Sequence, residues 1–393
     1  MTTVIGLRQS GKTTLVRRAS EARAYVTLDD LGALAAARRD PEGFLAGLPR
    51  PVTIDEVQRV PELLLAIKRE VDRRPRPGRF LLTGSARIEF RKGVSETLAG
   101  RAALLRMRPM TWAEAAGNGD WNPVDELLAC RSAADAASRF ARGPAFEGAR
   151  VLGGGLPVPL LRRAGAARTR WFEQYRSAYV ERDVPPIVQV DAVAAFVRFL
   201  TLAAVRTAQT TNHASLARET GLSADTGLRW FGALEATFLA DLVPPYWRNL
   251  GKRLVKAPKL HFGDAGLAAH MMGVHDWRGA LRQQIAGPLL ETLVAQHLLV
   301  FSETARRPTA LFHYRAHAGA EVDFVLSRGP RLVPVEVKLS STVRSSDVRG
   351  MASFLDDFGS VAPFGVVLYS GAEAVPVSRG IVALPMTAVL EGA

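Results

Sequence analysis

The sequence contains little cysteine and little that could enter a membrane. The single cysteine, Cys130, excludes an internal disulfide and argues against a cysteine-based zinc site. No apolar run approaches the roughly 20 residues that span a bilayer, and the first residues lack the charged segment, apolar stretch and cleavage site of a signal peptide. These absences predict a cytoplasmic protein with no membrane partner.

Lysine is also scarce, although the chain is strongly basic. The formal net charge is +13, and arginine supplies nearly all of it. Such an excess favours polyanionic partners such as nucleotides, nucleic acid or anionic surfaces, although a coding bias toward arginine would produce the same composition. With 393 residues, nearly half of them apolar, the chain can form two to four domains with sizeable cores.

The first residues match a phosphate-binding loop. A short β-branched strand runs into the pattern G-x-x-x-x-G-K-S/T and then into a helix, which is the context that this motif requires. Gly6 and Gly11 let backbone N–H groups turn toward a phosphate chain, Lys12 would reach the β- and γ-phosphates, and Thr13 would offer a hydroxyl to Mg²⁺. The alternative is a chance glycine-rich turn. The nucleotide-binding candidates are Gly6, Arg8, Gln9, Ser10, Gly11, Lys12, Thr13 and Thr14.

Two further strands end in polar residues. The segment RPVTIDEV gives a strand that ends in Asp55 and Glu56. Asp55 would hold Mg²⁺ through water and Glu56 would polarise the attacking water, unless this strand end simply reaches solvent. The segment GRFLLTGS ends in Thr83 and Ser85, which could sense the γ-phosphate or the lytic water. Repeated strands and helices predict a parallel sheet with helices on both faces.

These segments, together with SETLAGRAALLRMRPMT, resemble the AAA+-type ATPases of bacteria and archaea that carry a C-terminal domain of unknown function. The resemblance implies an AAA+-like core in residues 1–110 that uses ATP and Mg²⁺, and a homo-oligomer is compatible with it. Arg101 occupies the family's Gly-Arg position and is a candidate γ-phosphate sensor or arginine finger, or else a surface arginine. Family members usually have a helical segment before the first strand. Here Gly6 lies five residues from the start, which implies either a truncated start or an open base pocket.

The middle of the chain is predicted to be helical. Residues 111–190 form a helical lid or linker, in which a Gly-Gly-Leu-Pro segment similar to the family's marks a turn. Trp171 to Pro186 has apolar and aromatic residues at helical spacing and stops at prolines, and its aromatic residues are interpreted as core.

Residues 191–280 have the spacing of a winged helix-turn-helix. Leu216 lies on a first short helix, and Ser223 caps a second helix that runs from about residue 224 to 237. Leu228, Phe231 and Leu234 are predicted to form the buried face of the second helix. Strands follow, up to KRLVKAPKLHFGDAGLAAHMMG, which resembles the family's Lys-Ser-Pro-Lys and Asp-x-Gly-Leu segments, with His261 where an aromatic is common.

The same module is a candidate DNA interface. Its second helix offers four outward side chains, which are Ser223, Asp225, Thr226 and Arg229. Five cations nearby could hold phosphates, namely Arg248, Lys252, Arg253, Lys256 and Lys259. The alternative is a module that only packs against the ATPase core, since winged helices in AAA+-like ATPases also serve that purpose.

Residues 281–393 contain a helix, three strands, a helix and a strand. Glu291 lies near the start of the helix, whose core side contains Leu290, Leu293, Val294 and Leu298. The hairpin EVDFVLSRGPRLVPVEVK carries the remaining charged candidates. Because side chains alternate along a strand, Glu321 shares a face with Asp323, and Glu336 shares one with Lys338.

This order of elements, with Asp and then Glu-x-Lys on adjacent strands, resembles the PD-(D/E)xK nuclease fold of restriction enzymes and Holliday-junction resolvases. Asp323, Glu336 and the Val337 carbonyl would bind Mg²⁺, with Glu291 completing the metal site. Lys338 would orient or deprotonate the attacking water. Val322 stands where the motif has proline. The alternative is an ordinary hairpin with an Asp–Lys pair facing water.

The predicted fold is therefore α/β: a P-loop NTPase sheet of the AAA+ type, then a winged helix-turn-helix, then a restriction-endonuclease-like domain. The predicted function is Mg²⁺-dependent ATP hydrolysis by a protein that acts on or near DNA, with a nuclease-like domain at the C-terminus. The competing prediction is a nucleotide-dependent regulatory switch or scaffold in which that domain is catalytically inactive.

Overall fold

A computed structural model describes residues 1–19, 23–85, 100–162, 164–182, 192–247, 256–316 and 319–392. These residues divide into two compact units, each described separately below. The first contains residues 1–109 and 232–239, and the second contains residues 110–231 and 240–393. The segments 111–190, 191–280 and 281–393, which the sequence analysis separates, thus lie mainly in one compact unit.

A five-stranded parallel sheet forms the centre of the first unit. Its strands are β1 (Thr2–Gly6), β2 (Ala24–Thr27), β3 (Val52–Asp55), β4 (Phe80–Gly84) and β5 (Ala103–Met107). The strand order is β2-β3-β4-β1-β5, and every neighbouring pair is parallel, as the sequence predicts. Because β4 lies between β1 and β3, the loop after β1 and the end of β3 are one strand apart at the same edge of the sheet.

Four helices accompany this sheet in the described part of the first unit. They are α1 (Lys12–Arg18), α2 (Leu31–Arg39), α3 (Pro41–Ala46) and α4 (Pro61–Arg73). Side-chain caps fix two of the starts: Asp30 accepts from the Ala33 N–H, and Asp40 accepts from the Gly43 N–H. Proline at the first position starts α3 and α4, where a missing N–H costs nothing.

In the described residues, the second unit begins with four short helices and one of 18 residues, consistent with the helices predicted for 111–190. They are α5 (Trp112–Ala115), α6 (Pro123–Ala129), α7 (Ala133–Arg139), α8 (Pro157–Leu161) and α9 (Gly165–Arg182). A capping box between Thr111 and Glu114 starts α5. The Trp112 N–H donates to Nε2 of the buried His297 at 2.8 Å. The predicted stop at Pro185 and Pro186 lies outside the described residues.

The next elements are α10 (Val193–Val205), β6 (Gln209–Thr210), α11 (His213–Glu219), α12 (Ala224–Ala236), β7 (Ala240–Val243) and β8 (Lys259–Phe262). The three strands form an antiparallel sheet in the order β6-β8-β7. The prediction that Leu228 is buried is wrong, because 54% of its surface is exposed. Phe231 and Leu234 are buried, as predicted, and Trp230 is buried with them.

The remaining helices are α13 (Ala265–Met271), α14 (Trp277–Arg282), α15 (Ala286–Glu303), α16 (Arg349–Phe358) and α17 (Met386–Glu391). The remaining strands are β9 (Ala310–Arg315), β10 (Glu321–Arg328), β11 (Arg331–Lys338), β12 (Gly365–Tyr369), β13 (Val375–Ser378) and β14 (Ile381–Pro385). They form one mixed sheet in the order β13-β14-β12-β11-β10-β9. The predicted core side of α15 is confirmed, since Leu290, Leu293, Val294 and Leu298 are fully buried.

Cys130 is buried directly after α6, and its thiol donates to the Glu126 carbonyl at 3.2 Å. Burial raises the pKa of this thiol to about 11.

In the described part of the chain, no helix is both long enough and apolar enough to cross a lipid bilayer.

Candidate functional site

The loop after β1 has the backbone that the glycine pattern predicts. Gly6 has φ of 156°, and a Cβ placed on it would lie 2.0 Å from the Met107 carbonyl oxygen of the neighbouring strand. Gln9 and Gly11 also have positive φ, at 58° and 103°. The glycine at position 6 is therefore required by close approach of β5, and Gly11 permits the turn into α1.

Lys12 is folded back into this loop. Its ammonium donates to the carbonyls of Gly6 at 2.9 Å and Leu7 at 2.8 Å, and only 4% of its surface is exposed. Of the other loop candidates, Ser10 is buried, Arg8 is half-buried, and Gln9 and Thr14 are exposed. The structure thus holds the positive charge inside the concave side of the turn.

The carboxylate of Asp55 accepts hydrogen bonds from hydroxyl groups on three neighbouring segments. Thr13 donates to it at 3.1 Å, Tyr25 donates at 2.7 Å, and Thr83 from the intervening strand β4 donates as well. Asp55 itself is buried. Oxygen ligands from Thr13 and Asp55, at the mouth of a phosphate-binding loop, are the donor set that the hard cation Mg²⁺ prefers, so these residues fit the metal.

Glu56 follows Asp55 in a left-handed conformation, with φ of 58°. Its N–H donates to the Thr83 hydroxyl at 3.1 Å, which links the end of β3 to the end of β4. Gln58 donates to the Glu56 carboxylate and also to the Ser85 hydroxyl at 3.1 Å. Burial raises the pKa of Glu56, although Gln58 and the charge of Lys12 partly offset the shift.

Arg101 is not part of this cluster. It precedes β5, whose register pairs Ala103 with Thr2, so it lies at the amino edge of the sheet and the phosphate-binding loop lies at the carboxyl edge. Its side chain pairs with Asp72 at 2.5 Å. The prediction that Arg101 senses the γ-phosphate of its own chain is therefore wrong. A role as an arginine finger toward a neighbouring copy stays a prediction.

A cavity of about 650 Å³ lies on the first unit, among α3, α4 and the segments that precede β3 and β4. Three of its five arginines are paired with acids: Arg50 and Arg79 with Glu70, and Arg69 with Glu42. It contains no residue of the phosphate-binding loop, so cavity size alone does not locate the nucleotide site.

The hairpin residues of the second unit do converge. Phe324 pairs with Val335, which places Asp323 opposite Glu336. The Asp323 carboxylate accepts from the Val337 N–H at 3.0 Å, and Lys338 donates to Glu336 at 2.9 Å. The predicted set of four residues is thus brought together around one end of the hairpin, with Glu291 approaching from α15.

A lysine from another element lies among these acids. The Lys259 ammonium, on β8, is 2.7 Å from the Glu291 carboxylate and 3.1 Å from that of Asp323, with Glu321 at 3.6 Å. The prediction that Lys259 holds DNA phosphates is therefore wrong, because the residue is buried and already paired. Lys256 is exposed. Three other predicted phosphate contacts, Arg248, Lys252 and Arg253, lie outside the described residues.

Burial and the neighbouring charges shift the pKa values of the residues in this cluster. Burial and then Asp323 raise the pKa of Glu336 to about 7. Burial and Asp323 also raise the pKa of Glu291. For Lys338, burial alone would lower the pKa, but Glu336 outweighs it and raises the pKa. The raised pKa favours the cationic form of Lys338, and its predicted role of orienting or deprotonating the attacking water stays a prediction.

These residues do not fit a metal ion as they stand. Glu291 and Asp323 both direct carboxylate oxygens at the Lys259 ammonium, which leaves no room for a second cation between them. Over the described ranges, no three His, Cys, Asp or Glu side chains are grouped so that they could hold a metal. The predicted metal site of Asp323, Glu336 and Glu291 is contradicted in this arrangement.

Sequence reasoning missed several residues of both sites. Tyr25 and Gln58 contact Asp55 and Glu56 but belong to no motif. Lys259 and His261 lie on the same face of β8 and reach the acidic cluster from there. This strand is more than 60 positions from Asp323 in the sequence. The rarity of lysine in this chain is one weak sequence signal that could have drawn attention to Lys259.

Comparisons with known proteins divide the chain into three parts. A family model described as an AAA domain matches residues 1–116. Two models described as domains of unknown function, DUF8612 and DUF4143, match residues 149–278 and 286–389. The uncharacterized proteins Rv2008c of Mycobacterium tuberculosis and Mb2031c of Mycobacterium bovis are each 30% identical to this chain over 386 residues. The match covers 98% of this chain and 80% of each relative.

Likeness to solved structures is slight. The Walker-type ATPase PABY2304 of Pyrococcus abyssi is 10% identical, with a TM-score of 0.36, over 69% of this chain and 90% of that chain. The Orc1 protein of Aeropyrum pernix, in complex with DNA, is 13% identical, with a TM-score of 0.25, over 69% of this chain and 86% of that chain. Similarity at this level carries no argument about function.

Proposed function

The chain belongs to the same protein family as Rv2008c of Mycobacterium tuberculosis and carries an AAA-type P-loop ATPase domain, and on this basis we propose that it hydrolyses ATP with Mg²⁺. The observation that carries the proposal is the contact of Thr13 with Asp55 at 3.1 Å. This contact joins the loop that would hold the phosphates to the strand end that would hold the metal, so one site contains both.

Each residue has a separable task in this proposal. Lys12 exchanges its two carbonyl partners for phosphate oxygens, because an ammonium gains more from an anion than from neutral acceptors. Thr13 and Asp55 would hold Mg²⁺, which would screen the charge of the phosphates. Glu56 orients and polarises the water, and Gln58 fixes the direction of its carboxylate. Thr83 couples Asp55 to Glu56 through its hydroxyl.

Lys12→Ala is expected to weaken Mg²⁺-ATP binding by about 10–100-fold, since a hydrogen bond to a charged group contributes about 1.5–3 kcal/mol. A fluorescent ATP analogue titrated with and without Mg²⁺ measures the affinity. Lys68→Ala, on α4, removes the same charge one turn from Asp72 and should bind as wild type does. If the wild type shows no Mg²⁺-dependent binding, or if Lys12→Ala binds equally well, the proposal is wrong.

We further propose that this ATPase acts near DNA through α11 and α12. The order of three helices with three short antiparallel strands, over residues 193–262, supports a winged helix. A Cβ on Gly227 would lie 2.3 Å from the Ala217 Cβ, so the two helices touch closely, as this motif requires. Arg218, Arg229 and Lys256 are exposed and could contact phosphates. Ser223 and Thr226 bond to each other in the helix cap, which leaves little for base recognition.

For the C-terminal domain we favour the second function, a nucleotide-dependent switch whose nuclease-like domain is catalytically inactive. The specific observation is the Lys259 ammonium between Glu291 and Asp323. A carboxylate pair that already binds an internal cation cannot at the same time bind the Mg²⁺ on which such cleavage depends.

Experiments with DNA test both the proposed DNA contact of α11 and α12 and the proposed inactivity of the nuclease-like domain. Duplex binding should weaken with salt, with log affinity falling by about 0.9 per phosphate neutralised. Arg229→Ala should reduce that slope by about 1, whereas Arg142→Ala, an exposed arginine paired with Glu373, should not. Plasmid and branched DNA should stay uncut with Mg²⁺. Salt-independent binding would contradict the DNA contact, and cleavage would contradict the inactive domain.

A further inference from the structure

The acidic cluster of the second unit surrounds a buried lysine. Lys259 is 3% exposed, and its ammonium has three carboxylates within 3.6 Å, from Glu291, Asp323 and Glu321. The ammonium therefore lies at the centre of the acidic cluster.

A second buried side chain faces the same centre. His261 lies two residues after Lys259 on β8, on the same face of the strand, and is 1% exposed. Its Nε2 is 4.0 Å from the Glu291 carboxylate. Neither ring nitrogen has a hydrogen-bond partner among the described residues. A buried imidazole with both nitrogens unpaired costs free energy, and a bound ion would offset that cost.

We propose that Lys259 is a built-in cation that takes the place of a divalent metal in a closed site formed by Glu291, Asp323 and His261. As they stand these three side chains are not grouped to hold a metal. Without the ammonium, two carboxylates and one imidazole nitrogen would offer a mixed oxygen and nitrogen set that suits Mn²⁺ better than Mg²⁺. This inference deepens the proposed inactivity of the nuclease-like domain and rests on that proposal. It does not depend on ATP hydrolysis.

Lysine and metal exclude each other for a simple reason. A metal ion bound to Glu291 and Asp323 would lie about 2.0–2.6 Å from their oxygens. The ammonium already lies 2.7 and 3.1 Å from them, so both cations would occupy one position. Removing the ammonium leaves buried carboxylates without a partner, a state that a divalent ion relieves.

The experiment compares Lys259→Ala with its parent in an Asp55→Asn background, without nucleotide, so that the Mg²⁺ site proposed at the phosphate-binding loop is weakened in both proteins. Thermal unfolding is followed with EDTA, millimolar Mg²⁺ and millimolar Mn²⁺. Lys259→Ala should melt at a lower temperature in EDTA and recover with Mn²⁺, with an apparent Mn²⁺ affinity at least about ten-fold above the parent. Lys256→Ala, an exposed lysine of the same segment, should respond as the parent does.

Adding His261→Ala to the Lys259→Ala variant should reduce the Mn²⁺ response and leave a weaker Mg²⁺ response. Equal Mn²⁺ stabilisation of parent and variant would overturn the proposal, and so would a variant that melts early without any response to cations. These outcomes are independent of whether the wild type hydrolyses ATP or cuts DNA.

If Lys259→Ala does not fold, electron paramagnetic resonance of Mn²⁺ with the folded Asp55→Asn protein still decides the question. We expect no bound Mn²⁺ attributable to this cluster. Bound Mn²⁺ that disappears in Glu291→Gln would show that metal and Lys259 coexist, and would overturn the inference.

Discussion

Glu56→Gln is expected to lower the kcat of ATP hydrolysis by about 10²–10⁴-fold, the usual contribution of a general base, while ATP affinity changes little. The amide keeps the size and the hydrogen bond of the side chain but cannot accept a proton from water. Because burial raises the pKa of Glu56, the acidic limb of the rate–pH profile should lie above the ordinary range for glutamate. Phosphate release at saturating Mg²⁺-ATP measures the rate.

Glu62→Gln is the matched control for this change. Glu62 lies in the first turn of α4 and is exposed, so its substitution removes the same charge without touching the cluster. It should leave kcat and affinity at wild-type values. A Glu56→Gln protein that hydrolyses ATP at the wild-type rate would assign the base to another residue.

Asp264→Ala is expected to reduce the free energy of unfolding of the second unit by about 4 kcal/mol. Asp264 is fully buried and accepts three N–H groups, from Leu267 at 2.8 Å, Gly155 at 2.7 Å and Leu156 at 3.1 Å. Alanine would leave all three donors buried without acceptors. Urea unfolding followed by circular dichroism measures the change.

Asp276→Ala provides the comparison, since Asp276 also caps a helix, through a single bond to the Gly279 N–H at 2.7 Å. Loss of that cap should cost only about 1 kcal/mol. The difference between the two variants isolates the link from Asp264 to residues 155 and 156. Equal costs would mean that this link does not stabilise the unit.

The sequence predicts the structure correctly where residues adjacent in the chain determine it. The glycine and lysine spacing of residues 6–13 predicts the turn because strand, loop and helix follow one another along the chain. The end of β3 at Asp55 and the pairing of β10 with β11 can be predicted for the same reason, because adjacent residues in the sequence define a strand and its turn. Alternation then predicts which side chains of the hairpin share a face.

Prediction from the sequence fails where the fold joins distant segments. The contact between Lys259 and Asp323 crosses 64 positions, and no local pattern distinguishes a lysine that will be buried among acids from one that will face a phosphate. Helical spacing predicts Leu228 in the core of α12, but Trp230 occupies the buried position. The family resemblance implies a γ-phosphate sensor at Arg101, whereas the strand register puts this residue at the far edge of the sheet.

The position of Cys130 has a practical consequence. It is the only cysteine of the chain, its sulfur is fully buried, and its raised pKa keeps it as the unreactive thiol at neutral pH. A maleimide reagent therefore modifies the native protein only when the region around α6 opens. Pulse labelling with and without nucleotide would report, at one defined atom, whether events at the first unit change how often the second unit opens.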